Sequence, residues 1–182
     1  MTTRLQKRYS RRPRCAHALA AVAAACSLAL GSCEQVTCPL NNTVAADYVF
    51  YASERDDDGS LSATPSAVTI ADTLTVTILG TDVVLLNKWY GQSAMSLPVS
   101  YYAGTDSLLL RFASADGLVG YDTIYMHKHS YTHFDDPSCP VHVWHRIEGV
   151  ESTRHLIDTV AVMDAAITYD SGTNVAIYVR TQ

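Results

Sequence analysis

The chain has 182 residues, of which 13 are basic and 18 are acidic, and 48% are hydrophobic. Six of the basic residues and none of the acidic ones lie within residues 1–32, so the remainder carries a formal charge of −11. Because nucleic-acid binding needs a basic surface, we exclude nucleic acid as a partner. About 150 residues are left after residue 32, which suits one domain.

Residues 1–32 have the pattern of an export signal. A basic start is followed by a run over 16–30 that is almost wholly apolar, and then by small residues. This order is typical of a cleaved secretory signal. The apolar run is shorter than the roughly 20 residues that a membrane span needs. We therefore predict that residues 1–32 are a signal peptide and take no part in the fold.

The segment Leu30-Gly31-Ser32-Cys33 resembles a bacterial lipobox, in which an aliphatic residue and two small residues precede the acylated cysteine. It predicts cleavage before Cys33 and a lipid on its thiol. The protein would then be held at the outer membrane of the cell envelope, facing the periplasm or the cell surface. The alternatives are an ordinary cleaved signal with Cys33 as a spare thiol, and lipidation at Cys26. Residues 33–43 are predicted to form the lipidated start and a short tether, and 44–182 a single domain.

Two further cysteines, Cys38 and Cys139, remain after the predicted processing. An even number of cysteines in an exported domain indicates a disulfide. Two buried free thiols are the alternative. A zinc site at these cysteines is disfavoured because the sequence has no Cys-x-x-Cys pair.

The rest of the sequence predicts strands and turns. Apolar and β-branched residues alternate with polar ones over short segments, which is typical of half-buried strands. Pro98 favours an edge strand or a bend. The predicted segments are 45–53, 67–79, 83–90, 95–101, 108–112, 118–134, 140–147, 155–163 and 175–179. Eight or nine short strands predict an all-β fold, an antiparallel immunoglobulin-like β-sandwich, with a closed barrel as the alternative.

Histidines form the main chemical pattern. His127, His129 and His133 have even spacing, so they share one face of an extended strand. If 118–134 pairs with 140–147 as a hairpin, His142 lies near them. Grouped imidazoles bind zinc or copper, so these four residues are a metal-site hypothesis. The alternative is a solvated strand face without any cofactor.

Six short segments of the chain form a combination that is more informative than any one of them. They are the region of Cys38, Ser96-Leu97-Pro98-Val99, Asp122-Thr123-Ile124, Cys139-Pro140, His155-Leu156-Ile157-Asp158-Thr159-Val160 and Asn174-Val175-Ala176-Ile177-Tyr178-Val179. Together they resemble a lipoprotein family of Bacteroidetes whose function is not established. The resemblance implies an envelope lipoprotein with a β-rich domain and carries over no catalytic residues. Pro140 departs from it, because a small residue is expected there.

No pattern of nucleophilic catalysis or phosphate binding is found in the sequence. We therefore expect no enzyme, but a non-enzymatic binding or structural accessory that contacts the membrane through its lipid. A metal-binding periplasmic lipoprotein is one alternative. A carbohydrate-binding accessory is another, because exposed aromatic residues stack on sugar rings. An envelope protein or a glycan is the expected partner.

Overall fold

The computed structural model of the protein describes Cys38 and residues 44–134, 136–170 and 172–180, all of which belong to the compact unit Cys38–Gln182. The predicted signal peptide, Cys33 and most of the predicted tether lie outside the described residues. All regular structure in the described part is β-strand. No helix long and apolar enough to cross a membrane is found there.

Ten strands are present within the described residues. Nine correspond to predicted segments, and β9 is an additional strand of two residues. The prediction that the second strand includes 67–72 is wrong, because β2 begins at Thr73, and β7 continues beyond its predicted end. The strands are β1 Ala45–Ala52, β2 Thr73–Ile78, β3 Val84–Trp89, β4 Ala94–Pro98, β5 Thr105–Ala113, β6 Val119–His133, β7 His142–Ser152, β8 Ile157–Val162, β9 Ala166–Ile167 and β10 Val175–Val179.

The strands form two sheets that pack as a sandwich. One sheet has the order β4-β1-β10-β8, and the other has the order β3-β2-β5-β6-β7-β9. All neighbours pair antiparallel except β1 and β10, which are parallel. The predicted all-β sandwich is thus confirmed, with this one parallel pair as a difference. The two separate sheets of the described residues overturn the closed-barrel alternative.

The core lies between the two sheets and follows from the alternation of the strands. Every second side chain of β1 is buried, while those between are partly exposed. Strand β5 shows the same alternation over most of its length. Period-two burial is what a strand with one covered face requires. Large buried core residues are Tyr48, Phe50, Leu74, Leu97, Leu110, Ile124, Met126, Ile157 and Ile177.

Edges and turns follow the sequence signals. Strand β4 lies at the edge of its sheet and ends at Pro98, as a residue without a backbone N–H requires. The turn between β2 and β3 uses Gly80 at a φ of 77°, which glycine adopts without steric cost. Lys88 also has a positive φ, 48°, close to an irregularity in the β2–β3 register.

Strands β6 and β7 form a long hairpin that runs to the pair His133 and His142. The β6–β7 loop, residues 134–141, contains Cys139. Cys139 forms a disulfide with Cys38, 101 residues earlier in the chain. The predicted disulfide is confirmed, and the alternative of two free thiols is wrong.

Candidate functional site

The predicted histidines of β6 point away from the core. His127, His129 and His133 alternate with the inward-facing residues of the strand, of which Met126 and Lys128 are buried. Facing the same side does not bring them together, because six residues of strand span about 20 Å. His127 Nδ1 lies 3.0 Å from Thr105 Oγ1 on the neighbouring strand β5. The histidine row is therefore spread along the sheet.

An aromatic cluster surrounds Trp144 at the end of the hairpin. His133 stacks on the Trp144 indole with ring centroids 3.5 Å apart, and Tyr131 and Tyr169 meet the indole edge-on. His142, which is buried, meets Tyr169 edge-on at 5.2 Å. We call these five residues the hairpin cluster. Stacked and edge-to-face contacts of this kind hold aromatic side chains in fixed positions.

Two of the four candidate metal residues, His133 and His142, are thus brought to one end of the hairpin. His127 and His129 lie farther along β6. Among the described residues, no three histidine, cysteine, aspartate or glutamate side chains are close enough together to hold a metal ion. Zinc or copper binding stays a prediction, which titration with either metal will test.

On the inner face of the sheet, a lysine is buried inside the sandwich. Lys128 Nζ donates to the carbonyl oxygens of Ser100, at 2.7 Å, and Ala103. Asp106 Oδ2 lies 3.7 Å from the ammonium and accepts from the Ser100 N–H at 3.2 Å. Burial lowers the pKa of Lys128, and the charge and hydrogen bond of Asp106 oppose this shift. A buried cation needs such partners because its desolvation is costly.

His145 lies on the same inner face, next to this charge pair. It is fully buried, and its Nδ1 lies 2.8 Å from Ser130 Oγ. Burial, with the charge of Lys128 as the smaller cause, lowers the pKa of His145 to about 4. Nε2 has no hydrogen-bond partner among the described residues. His145 is therefore a neutral histidine at physiological pH.

A cavity of about 340 Å³ lies beside the charge pair. Ser100, Ala103 and Asp106 belong both to its wall and to the partners of Lys128. Its size is at the lower limit of small-molecule sites, which are mostly apolar with a few polar groups. The wall comprises Ile78, Leu79, Leu85, Pro98, Val99, Ser100, Ala103, Thr105, Asp106, Ser107 and Leu108.

A second buried charge, Asp122, organises the turn between β7 and β8. Its carboxylate accepts from Thr153 Oγ1 at 2.7 Å and from the backbone N–H groups of His155, Leu156 and Ile157 at 2.9, 2.7 and 2.9 Å. His155 Nδ1 lies 3.1 Å from the same carboxylate. Burial raises the pKa of Asp122, but these hydrogen bonds outweigh it and hold the pKa below its ordinary value. The arrangement fixes a turn, and its role is structural.

The sequence interpretation missed the inward polar residues. Lys128 has the same parity in β6 as Ile124 and Met126, so the alternation did place it on the buried face. A lysine is almost never fully buried unless it is paired, and its partner Asp106 lies on another strand. The position of Lys128 in the alternation of β6 was therefore the signal that could have revealed its burial.

The fold and these sites define a disulfide-linked β-sandwich with a buried charge pair beside a small cavity. The chain belongs to a family of unknown function, DUF6452, whose model matches residues 73–179. The match covers strands β2 to β10 and confirms that the family has no established function. The lipoprotein and Bacteroidetes parts of the resemblance stay a prediction. No curated protein and no solved structure matches the chain.

Proposed function

We propose that the protein is a lipoprotein of the cell envelope, anchored through Cys33, which serves as a non-enzymatic binding or structural accessory. The observation that supports this proposal most is the disulfide between Cys38 and Cys139. Disulfides persist in oxidising compartments outside the cytosol, in agreement with an exported chain. The bond also ties the segment after Cys33 to the folded domain.

The short spacing between the anchor and the disulfide limits how far the domain can lie from the membrane. Cys38 follows Cys33 by five residues. A chain of that length spans at most about 18 Å when fully extended. The domain is thus held close to the membrane at one defined point, as suits an accessory that acts at the membrane surface.

The cavity beside the Lys128–Asp106 pair is the ligand site that we assign to this accessory. Its wall is mostly apolar, with Ser100 and Asp106 at the polar part. Such a wall fits a small apolar molecule that carries a hydrogen-bond donor for the carboxylate. The ligand is held by burial of its apolar part, and the carboxylate orients it.

The anchor is tested on the full chain in a bacterial host that processes lipoproteins. The cells are fed an alkyne fatty acid, and the labelled protein and the mass of its first peptide are measured. We expect label on the chain and a processed N-terminus at Cys33. Cys33→Ser is expected to abolish the label, while the matched variant Cys26→Ser keeps it. Label that survives Cys33→Ser would overturn the assigned anchor.

The ligand site is tested with N-phenyl-1-naphthylamine, an apolar dye with one N–H donor whose emission rises on burial. Leu85→Trp adds a bulky ring in the cavity wall and is expected to weaken dye binding at least tenfold. Val84→Trp is the matched control, because Val84 is the adjacent exposed residue of β3 and is absent from that wall. Equal dye affinity in both variants would show that the dye binds elsewhere.

A further inference from the structure

We propose that the β6–β7 loop docks on the surface of the bilayer that holds the lipid of Cys33. The inference rests on the proposed lipid anchor and specifies which part of the domain meets the membrane. Three observations support it: the reach of the anchor, the exposed side chains around the loop, and the contacts that fix the loop.

The reach of the anchor selects one end of the domain. The lipidated residue lies five residues before Cys38, whose sulfur is bonded to Cys139 in the loop. The disulfide joins Cα atoms that are 5.4 Å apart, so Cys139 of the loop stays within about 23 Å of the anchor. The other end of β6 lies a strand length away, and its 15 residues span about 50 Å. The β5–β6 turn at that far end, with Leu118 exposed, serves as an internal control.

The exposed side chains near the loop suit a membrane interface. Phe134, directly after β6, is 59% exposed, and Val141, just before β7, is 39% exposed. Tyr131 of the hairpin cluster is 39% exposed and contacts Trp144 edge-on. Aromatic residues with one apolar and one polar side are enriched where lipid headgroups meet the acyl chains. Phe134 and Val141, at the two ends of the loop, would insert between the lipid headgroups.

The charge of the chain selects the kind of lipid. Residues 33–182 carry a formal charge of −11, so an anionic surface would repel the domain. In the loop, the Asp136 carboxylate accepts from the N–H and the hydroxyl of Ser138. Both bonds reach the same oxygen, Oδ1, and favour the charged form of the carboxylate, so the loop adds to the repulsion from an anionic surface. The surface therefore fits a zwitterionic bilayer, with apolar insertion rather than charge attraction as the driving force.

The loop is held in place before it meets a membrane. The Cys139 N–H donates to the Asp136 carbonyl at 2.9 Å, and the disulfide fixes the same residue. Behind the loop, His133 is stacked on Trp144. Because the contact surface is already ordered, docking loses little conformational entropy.

The test uses the full acylated chain in phosphatidylcholine vesicles with brominated acyl chains, which quench tryptophan on contact. Phe134→Trp places a reporter in the loop, and Leu118→Trp places one at the far end of β6. Relative to the wild-type chain, we expect the Phe134→Trp reporter to show blue-shifted emission and at least a twofold loss of intensity with brominated lipid. The Leu118→Trp reporter is expected to lose less than a tenth.

Equal quenching of the two reporters, or none at Phe134→Trp, would overturn the docking proposal. A blue shift without quenching would indicate a second protein copy on the loop and would also overturn it. The mass of the same preparation reports the anchor separately. If Cys33 carries no acyl chain, the proposed anchor fails. Cys33 of the Cys15→Ser/Cys26→Ser chain is then coupled to a maleimide phospholipid, and the two reporters decide the docking alone.

Discussion

Replacement of Asp122 by asparagine should remove much of the stability of the domain. The residue is 1% exposed, and each of its side-chain oxygens accepts at least two hydrogen bonds from the β7–β8 turn. An asparagine amide group replaces one of these oxygens with a donor, so at least two buried donors lose their acceptor. Each such loss costs about 1–3 kcal/mol, so we expect a decrease of about 2–6 kcal/mol in the free energy of unfolding.

The pH dependence of this effect has a defined sign. The pKa of Asp122 in the folded protein lies below its ordinary value of 3.8. The carboxylate therefore stabilises the fold fully above pH 3.8, and this contribution is lost as the pH falls through the folded-state pKa. The difference between wild type and Asp122→Asn should be constant from about pH 5 to 7 and shrink in more acidic solution.

The measurement is urea unfolding followed by tryptophan fluorescence, on the chain with Cys33→Ser so that no lipid is attached. Asp136→Asn is the matched control, because Asp136 accepts comparable bonds from Ser138 at the exposed surface. We expect the control to lose much less stability than Asp122→Asn, because its exposed donors are satisfied by water after the change. If Asp122→Asn lost no more than this control, or kept its full effect near pH 2, the buried-acceptor argument would be refuted.

Three further predictions concern packing, protonation and the crosslink. A Cβ at Gly120 would lie 2.5 Å from Leu156 Cδ1, so Gly120→Ala should lower the free energy of unfolding, measured in urea, by about 1–3 kcal/mol. A double-mutant cycle with Leu156→Ala that shows no coupling energy would contradict this clash. His145 has a pKa of about 4, so its NMR signals should not titrate between pH 5.5 and 8. Because the folded protein holds this imidazole neutral, the free energy of unfolding should fall as the pH drops below 6.5, where the unfolded chain binds the proton. An NMR titration midpoint near 6.5 would contradict both expectations. Replacement of Cys38 and Cys139 by serine opens a crosslink of 101 residues and should cost up to about 4–5 kcal/mol; an unchanged urea midpoint would disprove that contribution.

Local patterns predicted most of the sandwich. The positions of nine strands and the edge position of Pro98 could be predicted from short segments of sequence, because strand periodicity and backbone chemistry are local. The β6–β7 hairpin could be proposed from two neighbouring segments. The register of this hairpin places His133 opposite His142, in agreement with the prediction that pairing brings His142 near the other histidines.

Pairings between distant segments could not be predicted in this way. The parallel contact of β1 with β10 joins the two ends of the domain, and no local signal marks it. The two-residue strand β9 is too short to show a period. The Lys128–Asp106 pair depends on the register between β6 and β5 and on the carbonyl groups of a separate loop. Long-range geometry decided each of these features.

The metal hypothesis shows a further limit of strand patterns. Even spacing correctly placed His127, His129 and His133 on one side of β6, but it contained no information about distance. Metal ligands must converge to about 2.1 Å from one point, whereas residues on one strand face are separated by about 7 Å per step. Convergence therefore requires side chains from neighbouring strands. Of the four candidate histidines, all within the described residues, His133 and His142 are opposite one another on neighbouring strands.

The central position of β10 determines when the domain can be completed. In the four-stranded sheet, β10 lies between β1 and β8, so before it appears β1 is paired only with β4, and β8 has no neighbour in that sheet. In a chain that emerges N-terminus first, β1 is available for pairing early and β10 becomes available last. During that interval both strands have open edges, which are templates for wrong pairing and targets for a holding chaperone. A chain that ended before Val175 would keep the hairpins of the six-stranded sheet and leave the other sheet in two separate pieces.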